Sequence, residues 1–288
     1  MSKLPIYGIS NFNYNIANSN LYINSFKNHL KEHNFIEKPH RHNFYLLVLF
    51  THGTGIHEID FDSYEVKRGS LFMLQPGQIH NWKLSGDSDG YIVFFSQETY
   101  NLYFGNKKIE DYSFYQSAKS NPELFYNEEE LKEIEVYFNL MKKESETVNS
   151  KQKEAILNLL DLINIQISRK YSPENNHKTP IYNHKINQFE KLIDTNFKSE
   201  KSPSFYASKM SITLKHLNRI CKTILNKTAT QLITERIILE AKRLLIDQNK
   251  AISQIADELN FENYSYFAKL FKKETGISPS DFRRNLIL

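Results

Sequence analysis

The last third of the chain repeats itself at a spacing of about 50 residues, and this duplication constrains its fold more tightly than anything else in the sequence. In the second copy, Ile252, Ile255, Ala256 and Leu259 share one face of a short helix and Asn260-Phe261 makes a turn. Asn263 then caps a helix running to Glu274, with Phe267, Leu270 and Phe271 facing inward and Gly276 ending it. The first copy has Ser202 as N-cap, Pro203 at the first helical position, and Phe205, Tyr206, Ala207 and Met210 before a turn at Ser211-Ile212. Thr213 caps its second helix. Leu217, Arg219, Cys221, Lys222 and Leu232 correspond to Phe267, Lys269, Phe271, Lys272 and Phe282, so inner positions stay apolar and outer positions stay basic. The position of Cys221 opposite Phe271 makes it a core thiol.

Two helices that cross closely need a small residue at the crossing, which Ala207 and Ala256 supply, and a tight turn before the second helix. That is the pattern of a helix-turn-helix unit, whose second helix enters the DNA major groove. Its outer face must be polar enough to reach base edges, while flanking cations and capped helix N-termini hold phosphates. Thr213, Lys215, His216, Asn218, Arg219 and Lys222 form one such face, and Asn263, Tyr264, Ser265, Ala268, Lys269, Lys272 and Lys273 form the other. Between the copies, Thr228 to Gln231 is a capping box opening a helix through Ile233, Ile237, Ala241, Leu244 and Leu245. Nearly twenty residues make a strut on the order of 30 Å, close to the roughly 34 Å between successive major grooves on one face of B-DNA. One chain is thereby expected to read two adjacent grooves. The charge agrees: residues 183–288 hold 18 Lys and Arg against 11 Asp and Glu, whereas the rest of the chain is slightly acidic.

The preceding 182 residues read differently. From about Phe35 to Ser96, short β-branched or aromatic runs alternate with turn clusters such as Gly53-Thr54-Gly55 and Pro76-Gly77, an antiparallel β pattern that predicts a small barrel or sandwich. Beyond Pro122 the period becomes helical, with Leu131, Ile134, Phe138 and Met141 on one stripe and Ile156, Leu159, Leu160, Ile163 and Ile167 on a second. A polar stretch from Pro173 to Pro180 reads as a linker. The expected organisation is a two-domain α+β chain, comprising a β-barrel sensor domain over 1–122, accessory or dimerisation helices over 123–172, a linker over 173–182 and an all-α tandem helix-turn-helix domain over 183–288. One cysteine and the lack of a long apolar run point to a cytoplasmic protein with no membrane partner.

Lys242 to Pro279, with Lys-Arg-Leu-Leu, then Ile-Ser-Gln-Ile-Ala-Asp-Glu-Leu-Asn-Phe, then Tyr-Ser-Tyr-Phe-Ala-Lys-Leu-Phe-Lys-Lys-Glu-Thr-Gly-Ile-Ser-Pro, resembles the AraC/XylS family of transcription regulators. The family usually has Gly where this chain has Asn260, and Asn is the residue best able to share Gly's left-handed backbone conformation. The β segment, with Pro39-His40-Arg41-His42 and Gly69 to His80, resembles that family's cupin-like arm.

The resemblance implies a DNA-binding regulator, in most such proteins an activator that engages RNA polymerase, whose N-terminal domain senses a small organic effector. The residues expected to line the effector site, by resemblance and alternation, are His42, Tyr45, Leu47, His57, His80 and Trp82. Ile156, Leu159, Leu160, Ile163 and Ile167 are candidates for a homodimer contact, with packing on the barrel as the alternative. His40, His42 and His80 imitate the histidines of metal-binding cupins, but Leu46 and Leu47 stand where the usual carboxylate would be, so neither a metal nor another cofactor is expected. With no catalytic motif in view, the chain is expected not to be an enzyme. The alternatives are a metal-dependent cupin enzyme carrying a DNA-binding tail, and an effector-independent regulator controlled by its abundance.

Overall fold

The computed structural model describes residues 5–12, 20–33, 38–115, 120–171 and 180–286. The chain divides into two compact units, one within Pro5–Pro173 and one in Glu174–Leu288. Of the expected linker, residues 173–179 lie outside the described residues, and a helix already begins at Pro180.

The N-terminal unit contains two five-stranded sheets. The first has the order β1 (Ile6–Tyr7), β3 (His40–His42), β8 (Ile79–Leu84), β5 (Gly55–Ile59), β6 (Asp62–Val66). The second has the order β10 (Glu123–Phe125), β7 (Ser70–Leu74), β4 (Tyr45–His52), β9 (Asp89–Phe95), β2 (Leu21–Ser25). No ladder joins the two among the described residues, so the expected barrel is an open sandwich. Between the sheets lies an aromatic core that includes Phe12, Tyr22, Phe44, Phe50, Phe72, Trp82 and Phe94, together with Phe26 of α1 (Phe26–Glu32).

The central strand β4 is buried on both faces, which is why it reads as an unbroken apolar run rather than an alternating one. Leu46, Val48 and Phe50 point between the sheets, whereas Tyr45, Leu47 and Leu49 point outward. The outward side packs under α2 (Gln97–Phe104), α3 (Glu128–Glu146) and α4 (Gln152–Lys170). The helical segment therefore shares a core with the sheet. Its expected first residues, Glu123 to Phe125, instead pair with β7 as an edge strand.

The C-terminal unit is helical throughout: α5 (Pro180–Asn196), α6 (Pro203–Lys209), α7 (Leu214–Leu225), α8 (Ala229–Leu245), α9 (Ile252–Glu258), α10 (Tyr264–Thr275) and α11 (Pro279–Asn285). One core runs through it, formed among others by Phe189, Tyr206, Leu217, Ile233, Ala241, Phe267 and Phe271. A buried ion network fastens α5 to α8. Arg236 donates to Asp194 at 2.6 Å and to Glu240 at 3.0 Å, Arg243 stands 3.6 Å from Glu240, and the Arg236 guanidinium lies over the Phe197 ring. Burial alone would raise the Glu240 pKa, but Arg236 and Arg243 outweigh it and hold the carboxyl below its usual range. Among the described residues no helix is long and apolar enough to cross a membrane.

Candidate nucleic-acid interface and sensor core

Both helix-turn-helix units are built the same way, and the backbone shows why these residues are needed. In α6–α7 the Ile212 N–H donates to the Ala207 carbonyl at 3.0 Å, and in α9–α10 the Phe261 N–H donates to the Ala256 carbonyl at 2.9 Å. The residue before each donor is left-handed, Ser211 at φ 54° and Asn260 at φ 55°, which reverses the chain after one short helix. Asn260 takes the conformation expected of it. Ala207 and Ala256 are buried at the two crossings.

Thr213 caps α7 by accepting the His216 N–H, and Asn263 caps α10 by accepting those of Ser265 and Tyr266. Asn226 and Gly276, both left-handed, end the two helices. Cys221 is buried like Phe271, and burial pushes its thiol up to about 12, so it is a core group and not a nucleophile.

The outward faces carry cations that match at two of three places. Lys215, Arg219 and Lys222 on α7 occupy the places of Ser265, Lys269 and Lys272 on α10, at intervals of four and three residues that put each set on one side of its helix. All six are exposed, as are Thr213, Asn263, Tyr264 and Lys273. Lys215, Arg219, Lys269, Lys272 and Lys273 enter no salt bridge among the described residues, whereas nearby Lys198, Lys227 and Lys250 are paired with Glu258, Glu235 and Glu258. Cations left unneutralised on one face of a capped helix suit phosphate and base-edge acceptors.

Three expected contacts stand differently. The Asn218 side-chain carbonyl accepts the Ala229 N–H at 3.0 Å, so this residue also braces the start of α8. His216 and Ala268 are half-buried at the margin of their faces. Tyr266, 61 % exposed on α10 with its ring tilted against that of Phe261, stands at the repeat place of His216 and was not among the expected contacts.

In the N-terminal unit the register gathers histidines on the inner face of the first sheet. His40 lies directly across from His80, and His57 across from Trp82. With side chains alternating along each strand, His40, His42, His57, His80 and Trp82 all point between the sheets. His42 Nε2 and His80 Nε2 are 2.7 Å apart, and His80 Nδ1 and His57 Nε2 are 2.9 Å apart. Burial is the main cause that holds these rings neutral: His42 is pushed down to about 3, His57 and His80 lie well below the usual imidazole value, and His40 is lowered despite its bond to Lys38.

Tyr45 and Leu47 do not belong to this group. The break at Asn43-Phe44 moves the chain from the first sheet to the second and resets the alternation, so both face the helices. The stripe of dimer candidates takes the alternative, packing on the chain's own sheet. Ile156, Leu160, Ile163 and Ile167 are at most 2 % exposed within the chain's own core, and Leu159 is half-buried against it. What α3 and α4 leave exposed is Val136, Leu140 and Leu162. Beside Trp82 a cleft of about 880 Å³ opens, with Leu30 and Leu84 among its apolar lining and Lys27, Lys31 and Lys83 among its cations.

Comparison with known proteins agrees with both halves. Residues 22–160 match the AraC-like ligand binding domain, and residues 206–285 match a helix-turn-helix domain. The uncharacterized HTH-type transcriptional regulator YfiF of Bacillus subtilis is 24% identical over 253 residues, 85% of this chain and 78% of its own. The HTH-type transcriptional activator RhaS of Salmonella arizonae is 22% identical over 256 residues, 85% of this chain and 87% of its own. Among solved structures, ToxT from Vibrio cholerae aligns over 92% of this chain and 98% of its own, with 15% identity and a TM-score of 0.44. With an AraC-like ligand-binding unit followed by a duplicated DNA-binding unit, the chain belongs to the AraC family of transcriptional regulators.

Proposed function

We propose that this regulator is a non-enzymatic activator that grips promoter DNA in two successive major grooves, under the control of a small organic effector bound in the N-terminal unit. One observation carries the reading: two N-capped helices at equivalent places in the repeat present exposed cations along one face, α7 through Lys215, Arg219 and Lys222, and α10 through Lys269, Lys272 and Lys273, with Arg219 and Lys222 matched by Lys269 and Lys272. The name of the relative RhaS, a transcriptional activator, supports the positive sign of control and with it a contact to RNA polymerase.

The effector seat is the inner face around His42, His57, His80 and Trp82, the last of which also lines the cleft. A ligand there regulates only if it favours one arrangement of the protein over another, and a homodimer supplies such an alternative. The dimer face is the exposed set Val136, Leu140 and Leu162. Genome-wide mapping of bound sites in the native host, paired with transcript levels after deletion, tests the reading. Bound promoters whose transcripts fall on deletion are expected; bound promoters whose transcripts rise would reverse the sign, and bound sites scattered without a shared motif would remove the reading.

A further inference from the structure

We propose that the inner face of the N-terminal sandwich is a metal site, in which His40, His42 and His80 hold one divalent cation of the zinc, cobalt, nickel or iron class through three imidazole nitrogens. One ring nitrogen from each of the three lies within 4.8 Å of the others, and all three side chains are buried. They sit on neighbouring strands, with His40 opposite His80 and His42 two residues along β3 on the same face. The backbone ladder, not a flexible loop, brings them together.

The hydrogen bonds around the cluster set two of the three rings, those of His40 and His80, up as ligands. His40 Nδ1 is 2.8 Å from the Lys38 carbonyl oxygen, which can only accept, so Nδ1 carries the proton and Nε2 keeps its lone pair. His80 Nδ1 faces His57 Nε2 at 2.9 Å; when His80 donates there, its Nε2 also keeps its lone pair and faces His42 Nε2 at 2.7 Å. Two lone pairs so close repel unless a proton lies between them or the rings part by about half an ångström to take a cation. An outer N–H given to a carbonyl or a second acceptor is what fixes the tautomer and orientation of metal-bound histidines. In this arrangement His57 positions His80 and is not itself a ligand.

The donor set selects the ion. Three imidazoles with no carboxylate or thiolate beside them suit late first-row metals and not calcium or magnesium, which take oxygen ligands. Three neutral ligands leave the ion's charge uncompensated among apolar side chains, so the remaining position takes hydroxide or an anionic group of a small molecule. The rival account is a trio of hydrogen-bonded neutral histidines that share protons and bind no ion.

The two accounts separate on the full chain, stripped with a chelator, titrated with cobalt(II) chloride and desalted. The metal site predicts one cobalt retained per chain by elemental analysis, visible ligand-field absorption and a raised melting temperature. His42→Ala and His80→Ala should abolish retention. His57→Ala should weaken it by about 10–100-fold. His52→Ala should leave it intact, since His52 is exposed on β4. Should either alanine variant fail to fold, as judged by near-ultraviolet circular dichroism, His40→Gln replaces it. Wild-type protein that retains no cobalt, and none when zinc or nickel is used in its place, overturns the proposal, as does undiminished retention in folded His42→Ala. DNA binding is a separate readout, so failure here leaves the regulatory reading untouched.

Discussion

Arg219 and Lys269 occupy equivalent places on α7 and α10, both are exposed, and neither enters a salt bridge among the described residues. Truncating either to Ala is expected to cost about 1–3 kcal/mol on a cognate site if it reads a base, with the loss concentrated at one position of the site. Fluorescence titration against single-base variants of that site checks this, and a loss uniform across all sequences would demote the residue to a phosphate contact. Asn218 should behave differently, because its side chain caps α8 through the Ala229 N–H. Asn218→Ala should lower stability by about 0.5–2 kcal/mol, as other lost caps do. Its affinity per folded molecule should stay near that of the wild type. Denaturant melts beside DNA titrations separate the two effects. At Asn260, φ 55° makes Ala costly and Gly nearly neutral, so Asn260→Ala should melt earlier than Asn260→Gly.

At the scale of elements, α2 and α4 are joined through Asp161, which accepts hydrogen bonds from Tyr100 and from Tyr112 at 2.7 Å, with Lys107 at 2.6 Å. Burial would raise the Asp161 pKa, but Lys107 and the two phenols prevail and hold it below the ordinary value. A carboxyl depressed on folding contributes stability above its unfolded pKa of about 3.9 and loses that contribution as pH falls through the lower folded value. Asp161→Asn should therefore lower the melting temperature at pH 7 and flatten the acid side of the pH–stability curve; an unchanged acid limb would contradict this.

The repeat made α6, α7, α9 and α10 legible from sequence, because caps, crossing alanines and inward positions recur together. Strands β1 and β2 were not legible: two and five residues carry too little periodicity, and the only ladder of β1 among the described residues is with β3. The inward face of β4 was misassigned for the reason that makes it central, since a strand buried on both sides shows no alternation. On α4 an apolar stripe reads the same whether it meets a partner or packs on the sheet, and it packs on the sheet beneath it. The brace that Asn218 gives α8 was not legible, because a polar residue on an outer face looks alike whether it faces DNA or holds the next helix.

At the scale of the whole molecule, α7 and α10 are the two proposed reading helices and α8 joins their units. α8 spans 17 residues, about 25 Å along its axis, somewhat shorter than its apolar pattern implied. It shares a core with both helix-turn-helix units, so the distance between reading faces is set by the whole unit and not by the strut alone. The most direct test is selection of bound sequences from a random duplex library by the full chain at moderate salt. Two conserved elements are expected, their centres about 10–10.5 base pairs apart on one face of the duplex, with enrichment at one element lost in Arg219→Ala and at the other in Lys269→Ala. No enrichment over random competitor, or a single element insensitive to one of the two substitutions, would contradict the account.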